Sequence, residues 1–192
     1  NNDKNLNVNE ILFTSSISNN NTDFSIASDF LNGTVDGNFR YSTLSNTINK
    51  IIQKYLPALS ARNITNQDYS SNLIHVDLDV ENTSEISDVL ELPYKLEGLT
   101  TIKGKIDERY NQIEFEAAIP ALINKNQRIE NLVLKLNKEP GALSLTTRAI
   151  LIEKSGPLQV YLNSKAANDS LTAQVIWQNS EQITNAGEIN TC

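Results

Sequence analysis

Ile74-His75-Val76-Asp77-Leu78-Asp79-Val80 alternates apolar and polar side chains without a break. Successive side chains on a strand point to opposite faces, so this run makes a strand with one greasy face and one wet face. The same period returns in Ile113-Glu114-Phe115-Glu116-Ala117-Ala118-Ile119, Leu132-Val133-Leu134-Lys135-Leu136, Leu158-Gln159-Val160-Tyr161-Leu162 and Leu171-Thr172-Ala173-Gln174-Val175-Ile176-Trp177. Many half-buried strands in succession imply a mostly β protein, a long antiparallel sheet with one apolar surface.

Upstream, strands are expected at about 10–18, 24–28 and 33–41, with the Asn19–Asp23 stretch as a polar turn. The period then changes. Leu44, Ile48, Ile51, Ile52, Tyr55 and Leu56 recur at helical spacing, which predicts an amphipathic helix over 43–57 with Ser42 or Thr43 at its start and Pro57 at its end. Residues 60–72 read as a polar connection, and 84–92 as a shorter helix capped by Ser84, with Ile86, Val89 and Leu90 as its stripe. Beyond Leu96 only strands are expected, at 99–107, 112–119, 126–137, 141–153, 157–163 and 169–178. Their short turns, including Pro140-Gly141 and Asn168-Asp169, make sequential antiparallel neighbours, a meander. Gly37 and Gly104 interrupt strands and mark the expected bulges or bends.

The chain has 192 residues, enough for a substantial core in one β-rich segment. Net charge is −7, the pI is near 4.8 and mean hydropathy is −0.34. An acidic balance disfavours nucleic acid and weakens attraction to anionic headgroups. There is no methionine and the first residues are Asn1-Asn2-Asp3-Lys4, so the chain is expected to be a piece of a longer polypeptide. Any membrane anchor is expected outside it.

Catalytic groups are sparse. His75 is the one histidine and Cys192 the one cysteine, which leaves no ligand set for zinc; neither a metal nor a cofactor is expected, and Cys192 is read as a bystander. A Ser/His/Asp arrangement would need His75 as its base. Asp77 and Asp79 share a strand face about 6.5–7 Å apart, a spacing that overlaps the carboxylate pairs of inverting glycosidases. Alternating carboxylates are equally the look of a solvated strand face, as at Asp36, Glu114 and Glu116. Several Asn-X-Ser/Thr matches arise by chance in so Asn-rich a chain. The remaining candidate is the apolar face, which is either an ordinary core or a surface for something else.

A family resemblance bears on that choice. Ser28-Asp29-Phe30, Gly33, Gly37, Tyr41-Ser42-Thr43-Leu44 and Tyr55-Leu56-Pro57-Ala58-Leu59, in this order, resemble the Bacteroidota-type TamB (translocation and assembly module) proteins of the AsmA-like group. Leu92-Pro93, Gly98, Gly104, Pro120 and Asn131-Leu132 extend the similarity over about residues 9–178. It implies an internal fragment of an elongated sheet curled into an open apolar groove, in the periplasm, with the full protein anchored in the inner membrane. Such proteins resemble bridge-like lipid-transfer proteins and are implicated in moving phospholipid between inner and outer membranes.

The expectation is therefore a non-enzymatic groove for phospholipid acyl chains. Its lining is expected to be Ile74, Val76, Leu78, Val80, Ile102, Ile106, Ile113, Phe115, Leu132, Leu134, Leu158, Val160, Leu162, Leu171 and Val175, with the longer helix plugging or bracing one end. A rival is a scaffold for outer-membrane protein assembly, engaging a β-barrel partner or client by strand addition at a sheet edge. A third is a glycan-active enzyme using Asp77 and Asp79.

Overall fold

The computed structural model describes residues 10–57, 72–81, 83–89, 91–124, 126–179 and 184–191. They form one antiparallel sheet, not closed into a barrel, with two helices. The strands are β1 (Ile11–Ser18), β2 (Asn21–Ser28), β3 (Leu31–Gly37), β4 (Leu73–Glu81), β5 (Tyr94–Glu97), β6 (Leu99–Asp107), β7 (Gln112–Asn124), β8 (Gln127–Glu139), β9 (Ala142–Glu153), β10 (Gly156–Ala167), β11 (Ser170–Gln178) and β12 (Thr184–Thr191). Each pairs with its successor, except that β4 pairs with β6 while β5 pairs with β7. The meander follows from the turns. Asn19-Asn20 and Asn168-Asp169 both take positive φ, the two-residue geometry whose twist matches that of the flanking strands.

Direct cross-strand partners share a face, so the register sorts the whole sheet. One row runs Phe24, Val35, Val76, Gly104, Phe115, Leu136, Leu145 across β2, β3, β4, β6, β7, β8 and β9. The next runs Phe13, Ile26, Gly33, Leu78, Ile102, Ala117, Leu134, Thr147, Leu162, Val175. The opposite face carries charged ladders, with Asp77–Lys103 at 3.3 Å, Lys135–Glu116 at 2.9 Å and Lys165–Glu139 at 2.9 Å. Such exposed pairs contribute about 0–1 kcal/mol each, so they keep that face wet rather than hold the sheet together.

Helix α1 (Leu44–Tyr55), entered through a 3-10 turn at Tyr41–Thr43, packs on the apolar face. Ile51 reaches two clusters, one of Phe39, Ile74 and Ile106 and one of Tyr55, Ile113 and Ala166. The buried stripe is Thr47, Ile51 and Tyr55 at i, i+4, i+8; Ile48, expected on that stripe, is 54% exposed while Thr47 is 1% exposed. A buried polar bond at Thr47 accompanies this rotation, and a main-chain bond holds the far end of the helix. Asn72 Nδ2 donates to Thr47 Oγ1 at 2.6 Å, and the Asp169 amide donates to the Tyr55 carbonyl at 3.1 Å. Pro57 lies just past the helix, where its missing N–H costs nothing.

Helix α2 (Ser84–Val89) is shorter than expected. Thr83, not Ser84, stands at its start: the Ser87 amide donates to the Thr83 carbonyl at 2.8 Å. Thr83 also bonds to β5, donating its amide to Leu96 O at 3.0 Å while its side-chain Oγ1 accepts from Leu96 N at 2.8 Å, which occupies part of the free edge of β5. The Val89 side chain, Leu90 and most of the 60–72 connection lie outside the described residues.

The sheet breaks register elsewhere than expected. Gly104 sits in unbroken register on both sides; its missing Cβ leaves the place that the Phe115 ring fills. Gly37 ends β3 at φ +138, with the Leu73 carbonyl where a side chain would stand. The bulge is at Asn131, φ +50, where β8 has one residue more than β9 between Glu130 and Val133. A second lies at Gly98, φ +78, against Pro120 of β7. Together they crease the sheet. After the crease Leu96, Leu122, Ile129, Leu151 and Leu158 continue the apolar face; a strict period of two through 119–122 and 129–132 would have sent Leu122 and Ile129 to the wet side.

Gly104→Ala is expected to cost about 1–3 kcal/mol in urea unfolding, because the new methyl collides with the Phe115 ring. The cost should shrink in a Phe115→Leu background. Ile51→Ala should cost about 2 kcal/mol, whereas Ile48→Ala should stay within about 0.5 kcal/mol.

Candidate functional site: the helix-bearing apolar face

All fifteen expected lining residues lie on the face that bears α1, as the register requires. They divide by environment. Ile74, Ile106 and Ile113 are buried with α1, and Val76, Phe115 and Leu171 pack against those clusters. Leu78, Val80, Ile102, Leu132, Leu134, Leu158, Val160, Leu162 and Val175 are half-buried and belong to neither cluster. Leu96, Leu122, Ile129 and Leu151 share that state, and the sequence reading missed Leu122 and Ile129 because the crease changes their phase.

As an ordinary core, that face would have been buried under a second layer. Among the described residues there is one sheet, and α1 accounts for most of its fully buried hydrophobic side chains. At the β1 margin the same face is open to water, with Ile11 43%, Phe13 61% and Ile17 73% exposed. Large apolar side chains grouped this openly on one face are the kind of surface that interaction sites use. The Phe13 and Phe24 rings meet there at a tilt, their centroids 6.3 Å apart.

Beneath α1 a cavity of about 300 Å³ is lined by Thr47, Lys50, Ile51, Lys54, Tyr55, Ile106, Asp107, Glu108, Asn111 and Ile113, among others. Its charges are mostly engaged. Lys50 pairs with Glu108 at 3.5 Å, Glu108 also accepts the Asn72 amide at 2.8 Å, and Asp107 accepts the amides of Arg109 and Tyr110. Lys54 sits 5.7 Å from the centroid of the Tyr55 ring. Burial pushes the Tyr55 phenol above its ordinary value of 10.0, with Asn111 pulling it partly back.

Residues considered for catalysis fall on the opposite face. Asp77 is held by Lys103, and His75 Nδ1 lies 3.3 Å from Asp36 Oδ2. Asp79 shares the face with Asp77, directly opposite Thr101 and Asn32. No group of three or more His, Cys, Asp or Glu side chains is placed to hold a metal among the described residues, and no helix there is long and apolar enough to cross a membrane. Cys192 is outside the described residues. Comparison with protein-family models, with curated proteins and with solved structures gave no match.

The folded state keeps the Tyr55 phenol neutral more strongly than the unfolded chain does. Its contribution to stability is therefore intact below about pH 10 and lost as pH rises through the raised folded value. Thermal unfolding followed from pH 8 to 11 should show a decline that Tyr55→Phe flattens.

Proposed function

We propose that this chain is a periplasmic segment of a TamB/AsmA-like protein, and that its helix-bearing face forms a groove carrying phospholipid acyl chains between the inner and outer membranes. The observation that supports this reading is the apolar face extending beyond α1, with no second sheet over it among the described residues. Exposed methylenes cost about 0.8 kcal/mol each, for a lipid tail as for a leucine, so each surface lowers the cost of the other. Headgroups stay wet along the open margin. The transfer needs no bond making, which accords with the few groups available for it. On this reading α1 braces one end of the groove, and the membrane anchor lies outside this chain.

Leu134 and Leu162 are the positions to test, since they lie on the face but outside the packed clusters. Phe115 is a poorer choice, because its ring also covers Gly104. In the full-length protein, a photocrosslinking residue at either leucine should capture phospholipid. Leu134→Lys should abolish most of that capture at position 162, because an ammonium is costly among acyl chains, while Thr146→Lys on the wet face should not. Equal capture in both variants, with both folded, would defeat the proposal.

One observation favours a second reading. Strand β1 is exposed along all eight residues and carries neither a charge nor a proline, the usual protections of a sheet edge. A scaffold role in outer-membrane protein assembly would use that edge for strand addition. It requires saturable binding of an alternating β-peptide that Phe13→Pro removes; a titration that never saturates eliminates it.

A further inference from the structure

The crease at Gly98, Pro120 and Asn131 also shapes the opposite face. There it lines a depression of about 510 Å³, within the size range of small-molecule sites. Outward-facing Ala118, Val133 and Ile150 give it an apolar floor, with Leu99 and Tyr161 beside them. Elsewhere this face carries charged pairs such as Asp77–Lys103 and Lys135–Glu116. Here the register places Arg148 directly across from Val133 on one side and Tyr161 on the other. Arg148 is the one charged residue lining the depression. It forms no hydrogen bond or ion pair with any described residue, whereas Lys103, Lys135 and Arg128 on the same face each hold a carboxylate.

A free guanidinium fork presents paired N–H donors suited to carboxylate or phosphate. Set beside an apolar floor, it selects a molecule with one oxyanion at the end of a nonpolar body. We propose that this depression binds a single-chain amphiphile, its oxyanion head on Arg148 and its chain over Ala118, Val133 and Ile150. The site is separate from the lipid groove proposed above, since the two lie on opposite faces of the sheet, and it stands whether or not that groove carries lipid.

Methyl NMR of the full chain tests it, because neighbouring residues report opposite faces: Ala118 and Val133 the crease, Ala117 and Leu134 the helix side. Dodecanoate, dodecyl phosphate and neutral dodecyl maltoside are titrated separately, each below its micelle concentration. Dodecanoate or dodecyl phosphate should shift the Ala118, Val133 and Ile150 methyls saturably, and the tighter of the two identifies the head as carboxylate or phosphate. Dodecyl maltoside, and either anion with Arg148→Gln, should bind there about 10-fold more weakly, the loss of one charge-assisted contact. The proposal is overturned by shifts confined to Ala117 and Leu134, by maltoside binding as tightly as the anions, or by an Arg148→Gln protein that folds and binds unchanged.

Discussion

Among the described residues the sheet is a single open layer with one apolar face and no second sheet over it, and keeping that face from water shapes the rest of the molecule. The backbone ladder is satisfied strand by strand along the meander, but hydrogen bonds do nothing for Ile102 or Leu162. Helix α1 supplies the nearest thing to a core. Ile51 and Tyr55 press onto Ile74, Ile106 and Ile113, and the Thr47–Asn72 and Tyr55–Asp169 bonds fasten the helix at its rim. Away from the helix the same face is only half-buried. Stability and exposure are thus distributed along one surface, with the helix end packed and the remainder available.

The crease serves that arrangement. A long strand pair that kept a strict period of two would turn Leu122 and Ile129 outward, mixing grease into the charged ladders. The extra residues at Asn131 and Gly98 restore phase at the cost of a local distortion, and the distortion leaves the outward depression around Arg148. One geometric device therefore continues the apolar face and interrupts the wet one.

The glycines carry a related lesson. Gly104 is required by a neighbour's ring rather than by its own backbone, and Gly37 by the approach of the Leu73 carbonyl at a strand end. Neither is a bulge. The bulges use Asn131, which accepts positive φ, and Gly98, which faces Pro120. Proline at 120 fits such a site, where regular pairing is already interrupted.

Alternation in the chain was sufficient to determine the strands from β6 to β11, their meander order and the shared face of residues such as Leu78, Leu134 and Val160, because a period of two leaves a strand only two ways to lie. It also revealed the position of α1 through the change of period. Strands β5 and β12 were not legible, the first being only four residues long and the second lacking an apolar rhythm. Three matters were decided only by tertiary structure. The side of α1 that faces the sheet depends on buried partners at Asn72 and Asp169, far away in the chain. The phase of Leu122 and Ile129 depends on bulges that no local period announces. And whether the apolar face meets a second layer depends on which elements pack together in space, since a leucine at a strand position reads the same beneath another sheet as beside an open margin.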